Sequence, residues 1–129
     1  MDVIENGDAM AKARLAVQLG GFLKAEDTSD GDREQVLPII LKLCVDPVRD
    51  VRRALVASLL DFAGLHADVV FSIIADEDEI ALPFLAATPA LNHWHMLAIL
   101  RVGDERRQQV LVMRSDLSAE ALAFAVKAA

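Results

Sequence analysis

The chain contains no tyrosine, one tryptophan and one cysteine, and aromatic residues account for only 5% of its 129 residues. A single cysteine excludes an internal disulfide and suits a reducing compartment. With 6 glycines and 4 prolines, turn residues are too few for an all-β fold. Alanine, leucine and valine carry the apolar content instead, which favours closely packed helices over a β-sandwich. Long apolar runs are missing as well: no stretch reaches the roughly 20 residues of a membrane span. The opening Met1-Asp2-Val3-Ile4-Glu5 lacks the basic start of a signal peptide. Positive charge is the minority, 13 basic against 20 acidic residues for a net charge of −7, which is the wrong sign for a nucleic-acid partner. A bacterial-type cytoplasmic protein that contacts neither nucleic acid nor membrane is expected.

Catalytic signatures are absent too. The sequence holds no G-x-S-x-G, no glycine-rich phosphate loop and no H-E-x-x-H. Its carboxylates cluster at turns, where helix capping accounts for them. No enzyme activity and no cofactor are expected.

What is present is apolar periodicity. Hydrophobic residues make up 54% of the chain, which excludes disorder, and the length suits one domain, 1–129. Residues 1–8 are short, acidic and expected to fray, and residues 26–32 (EDTSDGD) form a polar turn. The stretch 36–62, VLPIILKLCVDPVRDVRRALVASLLDF, carries two helical stripes: Val36, Leu37, Ile40, Leu41 and Cys44, then Val51, Leu55, Ser58, Leu59 and Phe62. Before it, a helix from Asp8 or Ala9 to about Ala25 places Leu15, Leu19, Phe22 and Leu23 on one face, with Gly20-Gly21 allowing a kink or a close helix approach. Helix starts are expected at Asp32 (with Gln35 completing a capping box), at Asp46 with Pro47 in the first position, at Asp76 with Glu79, at Asn92, after Asp104 and at Ser118. Gly64 reads as a left-handed C-terminal stop. Pro38 and Pro83 bend their helices, and Pro89 ends one. The count is about eight short helices with turns of roughly 2–6 residues, which fits an up-and-down stack.

The motif L-P-x-x-L (Leu37, Pro38, Leu41) followed by D-P-x-x-x-V-R (Asp46, Pro47, Val51, Arg52) resembles a HEAT repeat. That resemblance implies an all-α, right-handed helical stack, an α-solenoid of antiparallel helices, in which Asp46 and Arg52 hydrogen-bond along the stack. A degenerate second unit starts at Ile74 to Leu85, but Leu82 stands where a further arginine is expected. From Ala67 onward, Asp76, Ile80, Ala81, Pro83 and Leu85, then Arg114, Leu117 and Ser118, also resemble the bacterial family called domain of unknown function 2336. That likeness supports the fold and implies no mechanism.

Three constellations invite a chemical reading. His93 and His95 flank Trp94, but on a helix residues two apart point about 200° from each other and cannot share a metal. They read as two partly exposed histidines beside a packed Trp94. Asp76 to Glu79 complements a helix dipole and lacks the spacing of a calcium loop. Cys44 continues an apolar stripe and reads as a buried, inert thiol. No metal is expected.

The arginines are placed less evenly. Between Ala54 and Leu100 there is no lysine or arginine but there are six acids, while Arg49, Arg52 and Arg53 lie on one helix and Arg106 and Arg107 on another. The HEAT resemblance puts both helices on the concave face. Arg49, Arg53, Arg106 and Arg107 are therefore the candidate partner-binding residues, forming a strip suited to an acidic or phosphorylated peptide segment. Arg52 is set aside as the partner of Asp46. The expected function is a non-catalytic protein-interaction or regulatory module. The alternatives are a small enzyme or ligand-binding domain using a pocket between helices, and a dimerisation domain. Residues 80–100 contain no charged residue apart from the histidines, so a homodimer or partner interface is expected there.

Overall fold

The computed structural model describes residues 7–128. It contains eight α-helices and, among the described residues, no strand: α1 (Ala9–Lys24), α2 (Asp30–Cys44), α3 (Arg49–Leu59), α4 (Ala67–Ile74), α5 (Asp78–Ala87), α6 (His93–Val102), α7 (Glu105–Val112) and α8 (Ala119–Ala128). None of these helices is long and apolar enough to cross a membrane. The fraying expected of residues 1–8 falls mostly outside the described residues, but Asp8 is held in place. Its carboxylate accepts from the Ala11 amide at 2.8 Å and caps α1.

Helix starts follow the side chains that can accept from free amides, although several lie a few residues from where the pattern placed them. α2 is capped by Ser29, whose hydroxyl accepts from the Asp32 amide at 3.1 Å. Asp32 therefore lies inside the first turn rather than at the cap. Asp46 does not open α3 directly. It accepts from the Val48 amide at 2.9 Å and closes an Asx-type turn that ends before Arg49. Asp76 likewise accepts from the Glu77 amide at 2.7 Å, leaving Glu77 at the start of α5 without a side-chain cap, so the expected Asp76–Glu79 box does not form. Asn92 does cap α6, and its box is completed by His95: the Asn92 carboxamide accepts from the His95 amide at 3.0 Å, and His95 Nδ1 accepts from the Asn92 amide at 3.1 Å. Asp104 and Ser118 cap α7 and α8 as expected.

Pro38 and Pro83 lie inside α2 and α5. Both are exposed, so the carbonyls that lose an amide partner face water. The left-handed stop expected at Gly64 is absent, and no described residue has positive φ. α3 ends earlier, and Leu60 is still right-handed as the chain leaves it.

The apolar stripes then pack in a regular order. α1 lies on α2 and α3, α2 on α3 and α4, and α3 on α5. α4 lies on α5, α5 on α7, and α6 on α7 and α8. The odd-numbered helices α1, α3, α5 and α7 thus pack in sequence. Val51, Leu55 and Leu59 of α3 are fully buried at the centre, as their spacing predicts. α1 buries Ala16, Leu19, Gly20 and Leu23, while Phe22, expected inside, is exposed. The reason is that α3 approaches α1 at the small residues: a Cβ on Gly20 would lie 2.5 Å from Ser58 Oγ. Buried side chains from Ala16 to Ala121 form one continuous cluster.

Candidate interaction surface

The acidic run at residues 76–79 stands at the entrance to α5, between the arginines of α3 and those of α7. Arg52 Nε donates to Asp76 Oδ2 at 3.0 Å, and its Nη1 donates to the Asp46 backbone carbonyl at 2.7 Å. The expected Asp46–Arg52 hydrogen bond is present, but it is made to the Asp46 backbone carbonyl rather than to its carboxylate. Arg52 takes the carboxylate of the following turn, and the Asp46 carboxylate receives Lys12 Nζ from α1 at 3.0 Å. Lys12 to Asp46 and Arg52 to Asp76 are successive steps of one ladder, in which a cation on an odd helix reaches the aspartate ahead of the next. α5 supplies no cation for the step after that, as Leu82 foretold. Arg107 reaches back instead, bonding the Ile74 carbonyl at 2.7 Å, the Asp76 carbonyl, Asp78 at 2.9 Å and Asp104 at 2.8 Å.

The four candidate arginines all arrive at this run. Arg49 forms a two-pronged pair with Glu77 and lies 3.7 Å from Glu79. Arg53 pairs with Glu79 at 2.7 Å, and Arg106 with Asp78 at 2.8 Å. Side-chain exposure separates them: 53% for Arg49, 52% for Arg53 and 73% for Arg106, but 12% for Arg107. Hydrogen bonds from Arg107 and Arg106 hold the Asp78 carboxyl below the usual carboxylate range. The Glu77 contact raises Arg49 further above neutrality. Beside the Arg53–Glu79 pair, Val56, Ala57, Leu60, Ile80, Pro83 and Phe84 line a shallow groove between α3 and α5.

Arg33 and Arg114 have a different role. Arg33 donates to the Leu23 and Ala25 carbonyls at the end of α1. Arg114 donates to the Leu85 and Thr88 carbonyls at the end of α5, both at 2.8 Å. Each closes the free carbonyl end of a neighbouring helix, where a cation also complements the dipole. Sequence reasoning did not find these bonds, because each joins residues far apart in the chain or separated by a turn. The one available signal was the recurrence of Asp46, Asp76 and Asp104 at matching turns.

The histidine pair diverges as helical spacing requires, but the packed and exposed roles are exchanged. His95 is buried, holds the capping box and meets the Phe71 ring edge-on at 4.7 Å. Trp94 is 67% exposed with the His93 ring 4.4 Å away. Helix α6 turns its 93–94 edge outward because Met96 and Ile99, on the other edge, enter the core. Burial pushes the His95 pKa down. Cys44 is buried, and burial pushes its thiol up to about 11, which keeps it protonated. Among the described residues no group of three or more His, Cys, Asp or Glu side chains is arranged to hold a metal ion.

Residues 80–100 place Ile80, Ala81, Phe84, Leu85, Leu91, Met96 and Ile99 in the core, and Trp94 is the large apolar side chain they leave outside. Apolar surface left for a partner on this segment is therefore centred on Trp94. No family model matches the chain, and neither a curated protein nor a solved structure does.

Proposed function

We propose that the chain is a non-catalytic protein-interaction or regulatory module, built as a HEAT-like right-handed stack, whose odd-helix face takes an acidic peptide segment. The supporting observation is the convergence of Arg49 and Arg53 from α3 with Arg106 from α7 on one acidic run, with each side chain at least half exposed. The order of packing, odd helix on odd helix through a repeated aspartate ladder, supports the stack. In this reading Arg107 positions the strip: it pins the turn that carries Asp76 and Asp78 and makes no partner contact.

The internal ion pairs do not close the strip. A surface pair is worth about 0–1 kcal/mol, so a partner carboxylate can replace Glu79 on Arg53 or Asp78 on Arg106 at little cost. The groove beside Pro83 receives the apolar side chains of the same segment. Binding of this kind is weak, fast and sensitive to salt.

A fluorescent peptide rich in Asp and Glu tests the reading. Its binding should weaken at least tenfold as salt rises from about 50 to 500 mM, and it should vanish in the Arg53→Glu, Arg106→Glu double variant while the melting temperature stays nearly unchanged. Binding that survives the double reversal, or no binding at low salt, would refute the proposal.

A further inference from the structure

On another part of the molecule, where the end of α1 meets α2 and the turn between α3 and α4, lies a cleft of about 270 Å³. Leu37, Ile40, Phe62, Leu65 and Val69 supply its apolar walls. Asp30, Arg33, Glu34 and His66 supply its polar lining. We infer that this cleft binds a small primary ammonium compound with an apolar body, the body against Phe62 and Leu65 and the ammonium at Glu34.

The polar groups decide the sign of the ligand. Arg33 is held in place by three hydrogen bonds. Its Nε bonds the Leu23 carbonyl at 2.9 Å, Nη2 the Ala25 carbonyl at 3.2 Å and Nη1 Asp30 at 3.2 Å, with the guanidinium 5.8 Å above the Phe62 ring. Asp30 balances that charge. Glu34 is exposed and makes no ion pair among the described residues, so the cleft keeps one uncompensated negative charge. His66 Nδ1 accepts from the Asp68 amide at 3.1 Å, so the neutral ring carries its proton on Nε2 and adds no positive charge. An anionic guest would meet the uncompensated charge of Glu34, with the Arg33 charge already offset by Asp30. An ammonium guest finds the Glu34 carboxylate beside apolar walls, the usual division of labour in a small-ligand site.

This site shares no residue with the arginine strip, so the two readings stand or fall separately. The probes are 2-phenylethylammonium and its near-isosteric anion 3-phenylpropanoate, titrated into the ¹⁵N-labelled full chain at neutral pH and low salt. The ammonium should give saturable shifts confined to amides around Leu37, Phe62, Leu65 and Val69, with affinity at least tenfold above the anion's. Glu34→Gln should weaken the ammonium several-fold. Glu34→Lys, at a solvent-facing position, should keep the fold, checked by its melt, and reverse the preference toward the anion. Equal affinity for both probes, shifts that scatter over the surface or fail to saturate, or an unchanged preference in Glu34→Lys would each overturn the inference.

Discussion

Two seams in the odd-helix layer are closed by different means. Between α1 and α3 the backbones come together: Gly20 has no room for a Cβ, and Ser58 Oγ lies 3.2 Å from the Ala16 carbonyl across the seam. Between α5 and α7 arginines reach across: Arg107 holds Asp78, and Arg114 holds the carbonyls that end α5. The first seam depends on shape along its length, with ion pairs only at its ends, Lys12–Asp46 and Lys24–Asp61, so its middle should be intolerant of volume. The second depends on charged hydrogen bonds, so it should tolerate volume and respond to lost donors. The contrast also accounts for the uneven charge pattern. The acids of residues 54–100 have no basic residue of their own stretch to pair with because their partners come from the helices on either side.

The largest effect should come at the first seam. Gly20→Val forces atoms into Ser58 and should cost about 3 kcal/mol, roughly 10 °C in Tm. Its neighbour sharpens the point: an added Cβ at Gly21 meets nothing within 4 Å, so Gly21→Ala should be neutral or stabilise by up to about 1 kcal/mol. Equal losses at both glycines in thermal melts would break the account of this seam.

At the second seam, Arg107→Leu keeps much of the side-chain volume and removes the donors to Ile74, Asp76 and Asp78. A cost of about 2 kcal/mol is expected from the carbonyls left without a partner, measured by urea unfolding. A cost near zero would mean that apolar packing alone holds α7 on α5.

A smaller effect should appear with pH. Burial lowers the folded-state pKa of His95 below its ordinary 6.5, so the unfolded chain takes up a proton first. The stability tied to this group is fully present above about 6.5 and is lost as pH falls through the lower folded value. A second loss belongs to Asp78 and Asp116, whose arginine partners lower their pKa from 3.8. That contribution is present above 3.8 and is lost as pH falls below it. His95→Gln keeps an acceptor for the Asn92 amide and does not titrate, so it should flatten the first loss and leave the second. Two unchanged losses in the variant would dissociate the first from His95.

Much of the helix pattern was legible in the residues. Val51, Leu55 and Leu59 point inward because a period near 3.6 aligns them, whatever they pack against. Asp8, Asn92, Asp104 and Ser118 cap because their oxygens meet amides two or three residues ahead, which is a local matter. Where local options competed, the pattern misled. Ser29 displaced Asp32, and Asp46 and Asp76 bonded amides short of the helix proper.

The sequence by itself determined where the chain is apolar, where helices begin within a few residues, and that lysine and arginine are missing between Ala54 and Leu100. Only the tertiary structure decided what the flanking arginines meet. Arg107 and the Ile74 carbonyl are joined by a helix contact that no local spacing encodes. The exchange of roles between Trp94 and His95 depends on which edge of α6 faces the core. A periodicity fixes a stripe on one helix, but the partner across a seam is chosen by how all eight helices stack at once.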